Sequence, residues 1–218
     1  MKKITVAIDG PAGAGKSTVA KIVAEKLNCT YIDTGAMYRA VAYEILTSQK
    51  NIEQILNEID LDLVFEHGTT TVFSHGKDIS EVIRQPEISK LVPKIAAMDL
   101  VRKKLVDMQR KMSSSKSVVL DGRDIGTVVL PNADVKIYLT ASIEERAHRR
   151  FEELTSKNIP VDDIKTLELQ IASRDRADME REISPLKKAD DAILIDSTNL
   201  EIDQVAEKIL DLVRKIQV

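Results

Sequence analysis

The segment GPAGAGKST at 10–18 contains residue types whose spacing suits phosphate binding. It fits the pattern G-x-x-x-x-G-K-[ST] at Gly10, Gly15, Lys16 and Ser17. Glycines permit the backbone angles that turn successive N–H groups towards an anion, and a helix starting near Lys16 adds the positive end of its dipole. The ammonium can reach the β- and γ-phosphates of ATP, and the serine hydroxyl can hold Mg²⁺. The residues expected to contact ATP are Gly10, Pro11, Ala12, Gly13, Ala14, Gly15, Lys16, Ser17 and Thr18.

A second polar segment, YIDTGAMYRA at 31–40, begins with a short apolar run. Asp33 ends the predicted strand, Thr34 opens a helix, and Arg39 lies within that helix. The helix N-terminus could bind an anion or a hydroxyl, and an arginine fork can hold a phosphate with two hydrogen bonds. A simpler interpretation stays open, in which Thr34 only caps the helix and Arg39 lies on the surface.

The segment VVLDGRDIGTVVLP at 118–131 places charged residues directly after a predicted buried strand. Ligands of open parallel sheets bind at the carboxyl ends of the strands. Asp121 could therefore hold a water bound to Mg²⁺, and Arg123 could hold a phosphate. A helix cap with a local salt bridge would explain the same residues without any ligand.

The stretch 142–182 is dense in charge and poor in large apolar residues, and it predicts a pair of helices. A charged helix is usually a solvated face, and that interpretation fits here too. Phosphoryl transfer, however, needs cations around the transferred group and the exclusion of water, which a mobile cover bearing arginines would provide. The charged residues considered for this role are Arg146, Arg149, Arg150, Arg174, Asp178 and Arg181.

The elements that must position these residues follow from the hydrophobic pattern. Short apolar runs rich in β-branched residues indicate strands buried on both faces of a parallel sheet. Apolar residues at helical spacing, as at 17–27 and after residue 199, indicate helices that alternate with the strands. The sequence therefore predicts an α/β fold with a five-stranded parallel sheet. The five apolar runs lie at 4–9, 30–33, 117–121, 135–139 and 192–196.

Two stretches interrupt this alternation. Alternating apolar and polar residues with His-Gly turn signals at 67–68 and 75–76 predict a small antiparallel meander near 61–79. A helical pattern then runs through 88–108 and contains Pro93, where we expect a kink or the start of a new helix.

The composition excludes several classes of function. The chain has 218 residues with a net charge of −3 and a pI near 5.7, which argues against generic binding to nucleic acid or to an anionic membrane. No apolar run approaches the roughly 18 residues of a membrane span, and the amino terminus lacks the pattern of a signal peptide. We expect a cytoplasmic monomer.

The few cysteine and histidine residues suggest no further chemistry. Cys29, the single cysteine, allows no disulfide within the chain, suits a reducing cytoplasm and is expected to pack in the core. His67, His75 and His148 lack the spacing of metal ligands. We expect the first two in turns and the third on the surface, and we expect no catalytic zinc.

Taken together, these segments resemble bacterial cytidylate kinases. The resemblance rests on GPAGAGKST, DTGAMYR, DGRDIGTVV, ERAHRR and RDRADMEREISPL, and it extends from about Ile4 to the final helix. It implies the fold of P-loop nucleoside monophosphate (NMP) kinases, with a parallel core sheet, an NMP-binding insert that includes the meander, and a helical lid. The implied boundaries are 1–40, 113–141 and 183–218 for the P-loop core, 41–112 for the NMP-binding region, and 142–182 for the lid with its flanking helices.

The resemblance also implies an activity and the roles of individual residues. Members transfer the γ-phosphoryl group of ATP, with Mg²⁺, to CMP and dCMP; here Ser17, and Asp121 through a water, would hold the metal ion. Arg102 and Asp124 would recognise the cytosine edge, because a carboxylate accepts from its exocyclic amine and opposes the carbonyl oxygen of uracil. Thr34, Arg39, Arg123 and Arg181 would surround the CMP phosphate and sugar, Arg174 and Asp178 would address the ribose and the closed lid, and catalysis would fall to Lys16, Arg123, Arg181 and Arg150.

One position departs from the family pattern. Members often carry a serine that contacts the base where this chain has Pro93, and proline offers no side-chain hydrogen bond. Base contact at this position is then lost or supplied by a neighbour, which would affect the discrimination between CMP, UMP and dCMP.

Three other functions are compatible with a phosphate-binding loop alone. A kinase of the shikimate or gluconate type would need a carboxylate base for an alcohol acceptor and fewer arginines directed at phosphate. A GTPase-like switch would need an N-K-x-D segment, and AILIDSTN at 192–199 supplies none. A nucleotide-binding module without activity would not need the intact Lys16 and Ser17.

Overall fold

Five parallel strands form the central sheet of the computed structural model, which describes residues 3–156 and 158–217. A separate sheet of three antiparallel strands lies outside it. The strands are β1 (Thr5–Asp9), β2 (Thr30–Asp33), β3 (Leu61–Glu66), β4 (Thr69–Ser74), β5 (Lys77–Asp78), β6 (Val118–Gly122), β7 (Val135–Thr140) and β8 (Ile193–Asp196). The helices are α1 (Lys16–Lys26), α2 (Thr34–Thr47), α3 (Ile52–Glu58), α4 (Pro86–Ala96), α5 (Asp99–Ser113), α6 (Ile143–Ser156), α7 (Ile164–Glu180) and α8 (Ile202–Gln217).

The central sheet has the order β2-β6-β1-β7-β8, so β1 lies in the middle and carries the phosphate-binding loop at its carboxyl end. All four strand pairings are parallel, and the register aligns Asp33 of β2 with Asp121 of β6. Because β1, β2 and β6 are neighbours, their carboxyl ends bring the three predicted polar segments to one edge of the sheet. The predicted α/β fold with a five-stranded parallel sheet is confirmed.

The two faces of the sheet pack into separate apolar layers. Ala7 of β1 and Leu120 of β6 face a layer that includes buried residues of α2, α4 and α5. Val6 and Ile8 of β1, with Val119 of β6, face a second layer that includes α1 and α8. Burial on both faces explains why the strands read as nearly continuous apolar runs rather than as alternating ones. Cys29 is buried in the second layer, as predicted.

The predicted antiparallel meander is confirmed as β3, β4 and β5. His67 and His75 have φ angles of 49°, and each is followed by a glycine that also has a positive φ. Two consecutive left-handed residues form the tight hairpin turn that matches the twist of the strands, so the prediction of turn residues is confirmed. His148 is exposed, which confirms the third prediction for the histidines.

Pro93 does not start a helix, so that part of the prediction is wrong. It lies inside α4, which begins instead with Pro86 in its first turn, and the next helix begins at Asp99. A proline inside a helix removes one backbone hydrogen bond. Ile88 and Ile95 are buried in the apolar layer on either side of Pro93, so the helix packs against the core along its length.

Helices α6 and α7 form the predicted helical pair between 142 and 182. They enclose a small apolar cluster of their own, in which Ala147, Leu167 and Ile171 are buried. This cluster is separate from both layers of the sheet. Contact between the helical pair and the sheet edge is made largely by charged side chains, which are described below.

Candidate active site

The phosphate-binding loop has the backbone geometry that the glycines predict. Gly13 and Gly15 have φ angles of 75° and 84°, in the left-handed region that favours glycine. Gly10 has a φ of 151°, and a Cβ atom added there would lie 1.9 Å from the carbonyl oxygen of Leu139 in β7. The loop therefore passes too close to the neighbouring strand for any other residue at position 10.

Lys16 is buried at the start of α1, and its Nζ donates a 2.6 Å hydrogen bond to the carbonyl oxygen of Pro11. Burial holds the pKa of this ammonium well below its ordinary value of 10.5, and the nearby charges of Arg123 and Arg174 lower it further. The carboxylates of Asp121 and Asp9 act in the opposite direction. Cations gathered in a buried place favour an anionic ligand, and a bound anion would raise the pKa of Lys16 again.

Residues 11 and 12, which were predicted to contact ATP, have their backbone polar groups engaged by the protein. The N–H of Ala12 donates to Oδ1 of Asp175 at 3.0 Å, and its carbonyl accepts from Arg146 at 2.8 Å. Arg146 and Asp175 form a buried ion pair between α6 and α7. Pro11 has no N–H, and its carbonyl accepts from Lys16. These two residues therefore shape the loop through contacts within the protein.

Asp121 connects the phosphate-binding loop to the edge of the sheet through hydrogen bonds. Ser17 donates to its Oδ2 at 2.8 Å, and the hydroxyl of Tyr31 donates to its Oδ1 at 2.6 Å. Burial raises the pKa of this carboxyl, and the charge of Asp33 adds to the effect. A hydroxyl beside a carboxylate is the oxygen donor set by which Mg²⁺ is held together with substrate phosphates. No group of three or more His, Cys, Asp or Glu side chains among the described residues could hold a metal ion by itself.

Asp33, rather than Thr34, caps helix α2. Its Oδ1 accepts from the N–H of Ala36 at 2.8 Å, and its Oδ2 is 3.0 Å from NH2 of Arg39. Thr34 is the first residue of the helix, and its hydroxyl donates to the carbonyl of Asp121 at 2.7 Å. The interpretation of Thr34 as a simple helix cap is therefore wrong. The Nε of Arg39 is buried without a hydrogen-bond partner, so this guanidinium has a donor available for a ligand.

Asp124 lies between two buried arginines from distant parts of the chain. Its Oδ2 accepts from NH2 of Arg102 in α5, and its Oδ1 is 3.7 Å from NH2 of Arg181. The guanidinium carbon of Arg102 lies 5.6 Å from the ring centroid of Tyr38, and burial raises the pKa of this tyrosine to about 12. The Nε of Arg102 and the NH2 of Arg181 have no hydrogen-bond partner, which is unusual for buried donors.

A second pair of charges joins α7 to the sheet edge. The Nε of Arg123 donates to Oδ2 of Asp178 at 2.8 Å, and NH1 of Arg181 is 3.9 Å from Oδ1 of the same carboxylate. Arg174 extends from α7 beside Arg123, where desolvation and the charge of Arg123 lower its pKa to about 10. The structure thus brings Lys16, Arg39, Arg123 and Arg174 into one electrostatic environment, while Arg102, Asp124 and Arg181 form a group beside it.

Arg150 lies apart from these residues. It is on the exposed side of α6, where its NH1 is 2.7 Å from Glu153. Arg146 and Arg149 on the same helix lie closer to the loop. A Cβ added at Gly13 would lie 3.3 Å from Cβ of Arg146, and a Cβ added at Gly15 would lie 3.9 Å from NH1 of Arg149. Sequence reasoning selected Arg150 from this arginine cluster, whereas the geometry places Arg146 and Arg149 at the loop.

Comparison with known proteins decides the family. Residues 6–215 match the family model described as cytidylate kinase. The chain belongs to this family. It is 50% identical over 222 residues to the cytidylate kinase of Caldicellulosiruptor bescii, with 99% of this chain and 98% of the relative covered. The cytidylate kinase of Bacillus subtilis is also 50% identical, over 220 residues and 98% of each chain.

The fold is shared more widely than the family. A solved structure of shikimate kinase from Acinetobacter baumannii in complex with shikimate superposes with a TM-score of 0.51 at 19% identity, covering 100% of this chain and 96% of that one. This likeness concerns the fold alone, and membership of the cytidylate kinase family does not favour a shikimate-type function. None of the helices in the described part of the chain has the length and apolar character needed to span a bilayer.

Several residues of this family member's site were not selected from the sequence. Tyr31 lies in the apolar run 30–33, Tyr38 lies beside Arg39 in α2, and Asp175 stands among other charges in α7. Asp9 was also missed, although it offered the same signal as Asp33 and Asp121, namely an aspartate at the carboxyl end of a buried strand.

Proposed function

We propose that this chain transfers the γ-phosphoryl group of ATP to CMP and dCMP, giving CDP and dCDP. The observation that carries the proposal is the buried group of Arg102, Asp124 and Arg181 beside the phosphate-binding loop. Two of its guanidinium donors lack partners, and buried donors without partners favour a polar ligand. Its single carboxylate matches the exocyclic amine of cytosine.

The transfer requires no general base, since the acceptor phosphate is already an anion. In-line attack on the γ-phosphoryl group depends on positioning and on neutralising charge over the equatorial oxygens. Lys16, Arg123 and Arg181 are the cations proposed for this role. The loop N–H groups from Gly13 to Thr18 would hold the phosphates of ATP. Mg²⁺, when bound through Ser17 and through a water on Asp121, would supply further neutralisation of phosphate charge.

The acceptor would lie between α2 and the group around Asp124. Thr34 and Arg39 would contact its phosphate or sugar, and the free Nε of Arg39 would donate to a phosphate oxygen. Asp124 would accept from the cytosine amine and would repel the carbonyl oxygen of UMP, while Arg102 would donate to the remaining base edge. Pro93 supplies no side-chain hydrogen bond to the base, so selection would depend on these charged groups.

The helices α6 and α7 would act as the lid. Arg174 and Asp178 would contact the ribose and stabilise the closed position of the lid. Arg150 would reach the reacting phosphate only through a movement of α6. Closure with both substrates bound would exclude water and limit the hydrolysis of ATP. We propose further that the protein acts as a monomer in the cytoplasm, which light scattering and fractionation of the source cells can test.

A coupled assay of ADP release from Mg-ATP tests the proposal. The panel contains CMP, dCMP, UMP, AMP and GMP, with shikimate as an alcohol acceptor and EDTA to remove the metal ion. Turnover with CMP and dCMP well above UMP, lost with EDTA, is the expected result. Strong activity with UMP would overturn the account of base selection but keep the reaction. Absence of turnover with every nucleotide, while ATP still binds, would refute the kinase activity.

A further inference from the structure

Asp9 is a buried carboxylate that the proposed mechanism does not use. It ends β1, directly before Gly10 of the phosphate-binding loop, and only 4% of its surface is exposed. Its Oδ1 accepts from the N–H of Ile125 and its Oδ2 from the N–H of Gly126, both at 2.7 Å. These are the two residues that follow Asp124 in the chain.

The two hydrogen bonds fix the backbone on one side of Asp124. The segment Ile125–Val129 is a short π-helical turn, and Asp9 receives the first two of its N–H groups. Arg110 of α5 donates to the carbonyls of Val128 and Val129 at the other end. Asp124 itself has φ −146° and ψ 27°, outside the helical region, so the orientation of its side chain depends on the turn that begins after it.

Burial makes the charged form of Asp9 costly. Burial raises its pKa from 3.8 to about 6, although the two N–H groups act in the opposite direction. The charged and titratable groups around it come from three elements: Asp124 before the turn, Lys16 of α1, and Tyr138 of β7. The side chain of Lys136 also approaches Gly126, beside Oδ2 of Asp9.

We propose that Asp9 is a positioning residue, which holds Asp124 in the orientation that reads the acceptor base and ties this orientation to the start of the phosphate-binding loop. It touches neither substrate. Its effect passes through the N–H groups of Ile125 and Gly126 to Asp124, and from there to Arg102 and Arg181. The inference rests on the proposed function, because it assigns Asp124 to the base.

The test compares Asp9→Asn with a matched control at the other end of the same strand. Asp134 also accepts from the backbone of β1, at the N–H of Thr5 at 2.8 Å, but it lies at the strand's amino end and is exposed. Asp9→Asn keeps the size of the side chain and replaces one acceptor oxygen by a donor. We expect its KM for CMP to rise about tenfold, the scale at which supporting contacts affect a site, and its KM for ATP to change by less than about twofold.

Asp134→Asn should leave both KM values unchanged, and the CMP-to-UMP ratio of kcat/KM should fall in Asp9→Asn alone. A double-mutant cycle with Asp124→Asn separates positioning from general stability. If Asp9 acts through Asp124, the loss of CMP affinity in the double variant will be smaller than the product of the single losses, whereas Asp134→Asn and Asp124→Asn will combine independently.

Two results would overturn the inference: an unchanged KM for CMP in folded Asp9→Asn, or independent effects in the cycle. If Asp9→Asn does not fold, Gly126→Ala provides a second test, because the added Cβ would lie 3.2 Å from Cδ of Lys136 and 3.4 Å from Oδ2 of Asp9, so the neighbouring side chains must shift by a few tenths of an ångström. It should raise the KM for CMP selectively, and an equal rise for ATP would count against positioning. Failure of the proposed function is distinct, since the unmodified protein would then not phosphorylate CMP.

Discussion

Three aspartates near the carboxyl ends of neighbouring strands accept many of the hydrogen bonds in this site. Asp9 and Asp33 end β1 and β2, Asp121 is the penultimate residue of β6, and each accepts hydrogen bonds from a different partner. Asp33 accepts from the start of α2, Asp121 accepts from two hydroxyls, and Asp9 accepts from two backbone N–H groups. The same residue type therefore performs three tasks, and the task depends on what each strand end faces.

The raised pKa of Asp9 predicts a pH-dependent stability. A carboxyl whose pKa is higher in the folded chain binds its proton more tightly there, so its contribution favours folding at low pH and is lost as the pH rises through the window from 3.8 to about 6. At ~1.4 kcal/mol for each pH unit, the difference is about 3 kcal/mol.

Asp9→Asn lacks this group. Its free energy of unfolding, relative to that of the unmodified protein, should therefore increase by about 3 kcal/mol between roughly pH 4 and pH 7. Urea denaturation of both proteins across this range measures the change. Parallel pH profiles for the unmodified protein and Asp9→Asn would contradict the assignment of the shift to this residue.

At the scale of elements, local patterns predicted the strands and the meander, while contacts between distant segments escaped prediction. The turn Ile125–Val129 illustrates the limit. Its β-branched residues carry no helical signal, and the turn depends on Asp9 and Arg110, which are far away in sequence. Arg102 and Asp124 were paired on the same ligand only through the family resemblance, since spacing alone gives no reason for their contact.

An added methyl group should destabilise the protein more at Gly10 of the phosphate-binding loop than at Gly76 of the meander. Gly10→Ala would place a Cβ 1.9 Å from the carbonyl oxygen of Leu139, whereas Gly76→Ala, also at a positive φ, would meet nothing within 4 Å. We expect Gly76→Ala to cost about 1–2 kcal/mol of stability, from the left-handed backbone alone. Gly10→Ala should cost clearly more and abolish ATP binding. Thermal denaturation with titration of ATP measures both, and similar melting temperatures would refute the close approach.

Two ion pairs on α6 should contribute very different amounts to stability. Arg146 is paired with Asp175 in a buried position that also binds Ala12, whereas Arg150 is paired with Glu153 on the surface. Arg146→Met should lower the free energy of unfolding by about 3–5 kcal/mol, because it leaves a buried carboxylate without its partner. Arg150→Met should lower it by about 1 kcal/mol or less. Equal losses of unfolding free energy in urea denaturation would show that burial of the Arg146–Asp175 pair does not increase its contribution to stability.

In the molecule as a whole, the helical pair of α6 and α7 is supported by fewer buried apolar side chains than the helices that cover the sheet. Among the residues that the structure describes, its apolar cluster has three buried members, while the two layers of the sheet are much larger. Its polar attachments to the rest of the protein include the ion pair of Asp178 with Arg123, and hydrogen bonds that join Asp175 to Ala12 and Arg149 to Ser197. Few buried apolar contacts indicate a low free energy of local opening.

Hydrogen exchange should show this difference directly. Amides in the middle of α7 are expected to exchange through local opening, faster than those of β1 and β6, which open only with the whole protein. Addition of ATP and CMP together should slow exchange in α7 and leave the strands unchanged, if the helical pair closes over the substrates. Equal protection of α7 and β1 without substrates would refute the independent opening of this unit.

The separation of the two apolar layers also bears on how such a protein can diversify. Ala7 faces one layer while Val6 and Ile8 face the other, so a substitution under α2, α4 or α5 does not disturb the packing beneath α1 and α8. The half of the molecule proposed to bind the acceptor can therefore accumulate changes over generations without compensating changes in the half that supports the loop. Proteins that evolve from this architecture can therefore change their acceptor specificity while they keep the same phosphoryl donor.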